Sequence, residues 1–267
     1  MILCLRYEMI LLFQSIRHTN ILPIFCFHMN PNTSILPLLL IMGMLSLHIG
    51  NTQFDGAPLL PESNKEKWVT LFNGKSFDGW HSYLKKDVSP QWKIENDAIM
   101  LTEKGGGDLL TDKEYENFEL ELEWKISLGG NSGVVYRVHE SPEFKSADLT
   151  GLEMQVLDNE RHPNAKQGLD RTAGSLFDMV APNDTTACKP AEQWNKARLI
   201  VNKNKVEHHL NGKKIVEYQI DGPKWKELIS NSKFKNWPAL GKYNKGHIAL
   251  QDHGNKVWYR NIRIRVL

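Results

Sequence analysis

The stretch "FELELEWKIS" (residues 118–127) decides the fold, because its side chains alternate without a break between apolar and charged. The apolar side chains fall on one side of an extended chain: Phe118, Leu120, Leu122 and Trp124. The charged side chains fall on the other side: Glu119, Glu121, Glu123 and Lys125. A period of two residues is that of a β-strand with one face buried and one face in water. We therefore predict a strand here, in a sheet that covers a core with one of its faces.

The same period of two recurs from Trp68 to the end of the chain, with turn residues at short intervals. Further predicted strands lie in "WVTLFNG", "QWKIENDAIML", "SGVVYRVH", "GLEMQVLD", "GHIALQDHG" and "VWYRNIRIRVL". The stretch "KARLIVNKNKVEHHLNGKKIVEYQI" (196–220) predicts strands joined by hairpin turns at "NKNK" and "LNGKK". One segment, "PKWKELISNSKF" (223–234), predicts a helix. Many alternating strands with one short helix predict an all-β antiparallel sandwich.

The composition is that of a globular protein without a strong electrostatic field. Hydrophobic residues make up 41% and charged residues 24% of the 267 residues, which is enough for a sizeable core. The formal net charge is only +2, so we expect neither nucleic acid nor an anionic membrane as a partner. Of the three cysteines, Cys4 and Cys26 lie in an atypical N-terminal part, which leaves Cys188 without a disulfide partner in the body of the chain.

The first 66 residues differ in character from the rest of the chain. Within residues 1–50, the apolar run "ILPLLLIMGMLSL" (35–47) is short for a transmembrane helix and resembles the hydrophobic region of a secretory signal. Met29 is a candidate for the true start, and residues 51–66 are predicted to be a polar linker. We expect a periplasmic or secreted protein whose mature domain, residues 67–267, does not insert into a membrane. The alternative is a single uncleaved membrane anchor.

Three predicted strands carry an unusual set of polar side chains: "NSGVVYRVH" (131–139), "GLEMQVLD" (151–158) and "GHIALQDHG" (246–254). One phase of each strand is mainly apolar and is predicted to face the core, with Val134, Tyr136 and Val138 sharing it in the first strand. The other phase carries planar, directional groups suited to orienting hydroxyls and carbonyls. These groups are Asn131, Arg137, Glu153, Gln155, Gln251 and His253. A ligand site and an ordinary solvated sheet face both fit this pattern.

Four further features lie close to these strands in the sequence. Asp252 falls in the opposite phase to His253, so we predict that it anchors the turn or a neighbouring strand. The long polar loop 158–182 contains a predicted short strand, "GSLFDMV", and long loops at sandwich edges commonly carry function. Rim candidates near it are Asp158, His162, Asp170 and Lys189, although Asp158 is equally suited to capping the loop. No pair of residues has a strong metal-ligand spacing, but Glu153, His253 and an aspartate could assemble in space.

The motifs of the body of the chain resemble those of the 3-keto-disaccharide hydrolase family, from about Lys67 to Leu267. They include "LFNGKSFDGW", "NSGVVYRV", "GLEMQVLD", "AGSLFDMVAP", "KPAEQWNKARLIV", "VEHHLNGKKIVEY", "KFKNWPALGKYNKGHIALQDHG" and "YRNIRIRVL". The resemblance implies a concanavalin A-like jelly-roll sandwich and activity on glycosides oxidised to a ketone at C3. The chain departs from the family pattern at residues 192–195, where "EQWN" replaces Gly-Glu-Trp-Asn, at His209, usually Trp, and at Phe177, often Tyr.

Such a substrate requires particular chemistry, because a ketone at C3 acidifies the proton on C2. A base takes that proton, and the resulting enolate expels the group at C1; addition of water then gives net hydrolysis. We assign proton transfer to Glu153 and His253, with His208 as a further candidate, and stabilisation of the enolate to Arg137 or, alternatively, a divalent metal. The candidate substrate-binding residues are Asn131, Gln155, Gln251, Asp158, Lys189 and Trp80.

A non-catalytic, lectin-like sugar-binding module is the alternative function, because the same sandwich serves lectins. A lectin face would use exposed aromatic side chains for stacking, such as Trp80 or Trp237, and would not need converging Glu, His and Arg side chains.

Overall fold

The computed structural model describes residues 67–267, so the predictions for the signal-like run and the linker lie outside the described residues. The strands in this part are β1 (Val69–Thr70), β2 (Trp80–Ser82), β3 (Trp92–Glu95), β4 (Ala98–Leu101), β5 (Leu109–Thr111), β6 (Phe118–Ile126), β7 (Asn131–Val138), β8 (Leu152–Leu157), β9 (Asn195–Asn202), β10 (Lys205–Leu210), β11 (Lys213–Gln219), β12 (His247–Leu250) and β13 (Val257–Val266). Helix α1 spans Gly222–Asn231. Within residues 67–267, no helix is long and apolar enough to cross a membrane.

These strands form the predicted antiparallel sandwich of two sheets. The large sheet has the order β11-β10-β9-β6-β13-β4-β3, and the short β1 also pairs with β13. The small sheet has the order β2-β5-β12-β7-β8. All pairings between these strands are antiparallel, and the main hydrophobic core lies between the two sheets.

Strand β6 behaves as its alternation predicts. Its apolar side chains are buried in the core, each at most 2% exposed: Phe118, Leu120, Leu122 and Trp124. On the other face, glutamates of β6 meet arginines of β13: Glu119 with Arg265, Glu121 with Arg263, and Glu123 with Arg260. The outer side of β6 and β13 is therefore a ladder of ion pairs.

The predicted turns and helix are also present. Asn96-Asp97 joins β3 to β4 and Asn211-Gly212 joins β10 to β11, all with positive φ, as a two-residue hairpin turn of type I′ requires. Helix α1 ends at Asn231, earlier than predicted, because Ser232 is extended and its hydroxyl accepts a hydrogen bond from the Phe234 N–H. A 3-10 helix, Lys233–Asn236, follows directly.

A β-bulge in β7 breaks the alternation that the sequence suggested. His247 of β12 pairs with Val138, but Ala249 pairs with Val135, so β7 contains one extra residue. Arg137 lies in this bulge with a φ of 57°. Val134 and Tyr136 pack in the core as predicted, but Val138 packs with Val135 in a separate cluster on the outer face of the small sheet. The predicted orientations of Val138 and Arg137 were wrong, because a bulge shifts the phase of every residue beyond it.

Candidate active site

Glu153 lies at the centre of a polar surface on the outer face of the small sheet. It belongs to β8 and is 8% exposed, while its neighbours Leu152 and Met154 face the core. Its carboxyl group packs over Gly133 of the adjacent strand β7. A Cβ atom at Gly133 would lie 2.3 Å from Oε1 of Glu153, so only glycine leaves room for the carboxyl group.

The surroundings of Glu153 favour its protonated form. Burial raises the pKa of its carboxyl group to about 8, and the negative charges of Asp148 and Asp108 act in the same direction. The Lys233 ammonium and a polar contact from the Gln251 side chain lower this pKa in part. Because the pKa exceeds 7, Glu153 holds its proton at neutral pH and can act as an acid.

His253 lies in a turn that follows β12, which we call the His253 turn (residues 251–254). Asp252 anchors this turn, because its Oδ2 accepts hydrogen bonds of 3.0 Å from the N–H groups of both Gly105 and Gly107. Its Oδ1 accepts a hydrogen bond of 2.9 Å from the Gly254 N–H. The predicted anchoring role of Asp252 is confirmed, and the glycine-rich stretch "KGGGD" (104–108) supplies its donors.

The His253 side chain keeps much of its surface accessible and lies beside His162, with the ring centroids 6.3 Å apart. Partial desolvation lowers the pKa of His253, and the Lys233 ammonium lowers it further. The His253 backbone, Asp252 and Asp148 act in the opposite direction, but the pKa remains below its usual value. At neutral pH the imidazole is therefore mainly neutral and can accept a proton.

Three predicted amide residues lie around Glu153. Asn131, Gln155 and Gln251 belong to β7, β8 and the His253 turn, and Gln155 pairs with Gly133 across the sheet. Within the described chain, Oδ1 of Asn131 and Oε1 of Gln251 are buried without a hydrogen-bond partner. Buried polar atoms are normally satisfied, so these two acceptors are suited to receiving hydroxyl groups from a ligand.

Lys233 is a site residue that the sequence analysis missed. It begins the 3-10 helix after α1, where its N–H donates a hydrogen bond of 2.6 Å to Oδ2 of Asp178. Its ammonium lies 4.4 Å from the ring centroid of Phe177 and 5.6 Å from that of Trp237. The Phe177 N–H in turn donates to the Glu153 carbonyl oxygen at 3.1 Å, which holds this cluster beside the site. The available signal was a lysine at the end of the predicted helix, directly before Phe234 and close to Trp237.

Two aspartates near Glu153 were also missed. Asp108 ends the glycine-rich stretch, and Asp148 lies in the 3-10 helix Ala147–Leu149. Both add negative charge near Glu153. Neither lies in an alternating strand pattern, so periodicity could not identify them.

His208 lies in the core and not on the polar surface. Its Nδ1 donates to the carbonyl oxygen of Gly174 at 2.9 Å, so its Nε2 accepts from the Tyr136 hydroxyl at 3.0 Å. Burial lowers the pKa of His208 to about 4, which keeps the ring neutral. The prediction of a catalytic role for His208 was wrong, because β10 belongs to the large sheet and turns this side chain inward.

Arg137 and Trp80 are also absent from the polar surface. Arg137 is 1% exposed, and its guanidinium donates to the carbonyl oxygen of Lys203 in the turn between β9 and β10. Trp80 packs in the core, where its Nε1 donates to the Leu71 carbonyl oxygen at 2.7 Å. The roles predicted for Arg137 in stabilising an enolate and for Trp80 in binding substrate were therefore wrong.

The remaining rim candidates serve local structure. Oδ2 of Asp158 accepts from the Gly129 N–H at 2.7 Å and Oδ1 accepts from the Glu160 N–H at 3.0 Å, so the capping alternative is the one found. Burial acts to raise the pKa of Asp158, but these hydrogen bonds outweigh it and hold that pKa below its usual value. The Lys189 ammonium donates to the Trp194 carbonyl oxygen at 3.2 Å, in the loop before β9. We assign neither Asp158 nor Lys189 to the site.

The residues present do not fit the divalent metal that the sequence left open. Among residues 67–267, no three His, Cys, Asp or Glu side chains are grouped so that they could hold a metal ion. The carboxylate oxygens of Asp108 and Asp252 accept hydrogen bonds from backbone N–H groups, so these oxygens are already engaged within the protein and are poorly placed to bind a metal.

Comparison with known proteins agrees with this fold and shows the family. The profile of the 3-keto-alpha-glucoside-1,2-lyase-like domain matches residues 67–265. The chain belongs to this family. A Bacteroides thetaiotaomicron protein named 3-keto-disaccharide hydrolase is 40% identical over 228 residues, which cover 75% of this chain and 78% of that protein. The chain is therefore an enzyme of a family that cleaves glycosyl bonds.

Solved structures give the same result for the fold. A Parabacteroides distasonis protein, provisionally described as a glycosyl hydrolase, superposes with a TM-score of 0.71 and 32% identity, covering 78% of this chain and 98% of its own. A second protein from the same organism with a similar description has a TM-score of 0.58 and 27% identity, covering 76% of this chain and 100% of its own. The recognised family and the β-sandwich fold are thus both confirmed.

Proposed function

We propose that this protein cleaves 3-keto-glycosides, including 3-keto-disaccharides, by elimination across C1 and C2 of the oxidised sugar. The family and the name of the Bacteroides relative support this substrate class. The polar surface around Glu153 supports the reaction type, because it brings a proton donor, a proton acceptor and a cation together on one face of a sheet.

The mechanism rests on the difference in protonation between Glu153 and His253. At neutral pH Glu153 holds its proton, whereas the imidazole of His253 is mainly neutral and free to accept one. Both lie near Lys233 and Asp148, yet the pKa of Glu153 is raised to about 8 and that of His253 is lowered. When the surroundings raise the pKa of one group above that of another, the first group is suited to act as the acid and the second as the base. His253 is therefore assigned as the base and Glu153 as the acid, a distinction that sequence alone left open.

The reaction then runs in two proton transfers. The neutral imidazole of His253 takes the proton from C2, and the electrons of that C–H bond form the C2–C3 enolate. As the C3 carbonyl re-forms, a C1–C2 double bond develops and the bond from C1 to the glycosidic oxygen breaks. The protonated carboxyl of Glu153 gives its proton to the departing oxygen. Addition of water to the resulting enone yields the free 3-keto sugar, so the net result is hydrolysis.

Lys233 supplies the positive charge that was first assigned to Arg137. Its ammonium is the cation whose charge acts on both Glu153 and His253, so it is suited to stabilising the enolate oxygen as negative charge develops. The unpaired acceptors of Asn131 and Gln251 would receive sugar hydroxyls. Trp237, which is partly exposed beside Lys233, offers a ring face for the sugar.

The assignment is tested by separating C2 proton exchange from bond cleavage. With a 3-keto-disaccharide in deuterated water, we expect wild-type protein to show a transient enone absorbance and to release the second sugar. Glu153→Gln should still exchange the C2 proton but release the second sugar slowly, whereas His253→Gln should do neither. Full turnover by Glu153→Gln would rule out its role as acid.

Two controls complete this experiment. The unoxidised disaccharide should not be cleaved, since its C2 proton is not acidic. Binding of both sugars without turnover of either would instead favour the lectin-like alternative. A parallel reaction with a chelator measures metal dependence directly.

Export is a separate proposal that rests on the run at residues 35–47. We propose that the mature domain works in the periplasm or outside the cell. Expression of the full chain, followed by cell fractionation and N-terminal mass spectrometry of the product, tests this. A product that keeps residues 35–47 and stays with the membrane would support the uncleaved anchor.

A further inference from the structure

Asp108 connects three segments around Glu153. Its side chain is 8% exposed, and its Oδ1 accepts a hydrogen bond of 2.9 Å from the N–H of Asp252 in the His253 turn. Its Oδ2 accepts a hydrogen bond of 3.1 Å from the N–H of Ala147, the first residue of the 3-10 helix that carries Asp148. One buried carboxylate therefore fixes the backbone of both neighbouring segments.

The contact with the His253 turn runs in both directions. Asp108 accepts from the Asp252 N–H, and the Asp252 carboxylate accepts from Gly105 and Gly107 of the stretch that ends in Asp108. Charge-assisted hydrogen bonds of this kind are stronger and more directional than neutral ones. The turn that carries Gln251 and His253 is thus held to residues 104–108 from both sides.

We propose that Asp108 is a positioning residue, which holds the His253 turn and the Asp148 helix against Glu153. This inference rests on the proposed roles of His253 and Glu153. Asp108 touches no reacting atom of the proposed mechanism and acts through the groups that it orients.

The charge of Asp108 has a second effect on the site. The charged or polar groups around Glu153 include Lys233, Asp148, Asp108, Gln251 and Tyr259, and those around Asp108 include Asp148, Asp252 and Tyr259. Burial raises the pKa of Asp108 to about 6, against the effect of its two backbone hydrogen bonds. At neutral pH Asp108 is therefore mainly charged, and this charge helps to keep Glu153 protonated. Below about pH 6 it becomes neutral, and both hydrogen bonds weaken.

Three variants separate the anchoring effect from the charge effect. Asp108→Asn removes the charge and one acceptor oxygen. Asp148→Asn removes a charge near Glu153 and leaves both hydrogen bonds of Asp108. Asp252→Asn weakens the anchor and leaves the charges of Asp108 and Asp148. The protonation of Glu153 is measured by carboxyl NMR titration of the substrate-free protein, and kcat is measured with a 3-keto-disaccharide.

We expect Asp108→Asn to lower kcat about 10- to 100-fold, since small displacements of catalytic groups cost rates of this order. Asp252→Asn should also lower kcat, with the pKa of Glu153 near its wild-type value. Asp148→Asn should lower the pKa of Glu153 with a smaller effect on kcat. Asp108→Asn should change both quantities, and thermal unfolding of each variant checks that it folds.

Asp108→Glu is the second variant for the case in which Asp108→Asn does not fold. It keeps the charge but displaces the acceptor oxygens, so kcat should fall while the pKa of Glu153 stays high. The inference is overturned if folded Asp108 variants keep the wild-type kcat and titration. Because the titration needs no substrate, a wild-type protein that titrates as expected but cleaves nothing would refute the proposed function alone.

Discussion

At the scale of single residues, the site depends on Gly133, which has no side chain, and on Asp252, which anchors the His253 turn. Gly133 leaves the space in which the Glu153 carboxyl group lies, and the desolvation that raises the Glu153 pKa follows from that close packing. Asp252, two residues after the end of β12, accepts hydrogen bonds from three backbone N–H groups and so anchors the turn that carries His253, the proposed base.

Replacing Gly133 with alanine tests this packing. The added methyl group would lie 2.3 Å from Oε1 of Glu153, so the carboxyl group has to move. We expect a large loss of kcat and a loss of about 1–3 kcal/mol in the free energy of unfolding, as in other overpacked sites. The two quantities are measured by turnover of a 3-keto-disaccharide and by urea denaturation.

The control is a double-mutant cycle with Glu153→Ala. In the Glu153→Ala background the clash is absent, so the Gly133→Ala change should cost much less stability. Equal costs in both backgrounds would mean that the glycine is required for a reason other than Glu153.

At the scale of elements, the ends of strands and helices place the charged groups. The strands β7 and β8 carry Asn131, Glu153 and Gln155, but His253, Lys233 and Asp148 lie in a turn and in two short 3-10 helices. Lys233 is placed by the early end of α1, because the chain turns at Ser232 and the Lys233 N–H reaches Asp178. A helix continued to residue 234, as predicted, would not give this arrangement.

Lys233→Gln tests the role of this 3-10 helix. Loss of a preorganised donor at a developing oxyanion reduces kcat about 100- to 1,000-fold in other enzymes, and we expect a fall of that order. The pKa of Glu153 should rise further, because Lys233 lowers it. Lys235→Gln, an exposed lysine of the same 3-10 helix, is the matched control and should retain wild-type turnover. Similar kcat values for both variants would remove Lys233 from the mechanism.

At the scale of the whole molecule, a buried polar chain joins the two sheets. Tyr218 of β11 donates to the Tyr136 hydroxyl of β7, and Tyr136 donates to Nε2 of His208 in β10. His208 in turn donates to Gly174, whose N–H bonds the Gln155 carbonyl oxygen at 2.8 Å. Every link of this chain is satisfied, so it holds the sheets in register without a catalytic role.

His208→Gln should destabilise the sandwich without a specific effect on proton transfer. We expect a loss of about 1–3 kcal/mol in the free energy of unfolding at neutral pH, from unsatisfied partners in the core. The folded pKa of His208 is about 4, below its value near 6.5 in the unfolded chain. As the pH falls from about 6.5 to about 4, only the unfolded chain takes up this proton, so wild-type stability falls through that window.

The variant lacks that titration, so its stability should depend less on pH across the same window. His209→Gln is the control. His209 follows His208 in the chain, and its Nε2 pairs with the Glu207 carboxylate. Denaturation curves at several pH values measure both. An unchanged pH dependence in His208→Gln would mean that His208 is not buried in its neutral form.

The sequence by itself determined the sandwich and much of one polar surface. Strict alternation in β6 predicted its buried and exposed faces, and paired turn residues predicted the hairpins, because both depend on local geometry of the backbone. The same alternation placed Glu153, Gln155, Gln251 and His253 apart from the core, and the family motifs indicated the substrate class.

Only the tertiary structure decided which charged groups meet around Glu153. The bulge in β7 turned Arg137 away, and the pairing of sheets buried His208, both through contacts with residues distant in sequence. Lys233, Asp108 and Asp148 reach Glu153 from three separate connections, and no periodic pattern links those positions. Protonation follows from desolvation and neighbouring charge, so it is a property of the assembled fold. The proposed roles of Glu153 as acid and His253 as base depend on the packing of these segments.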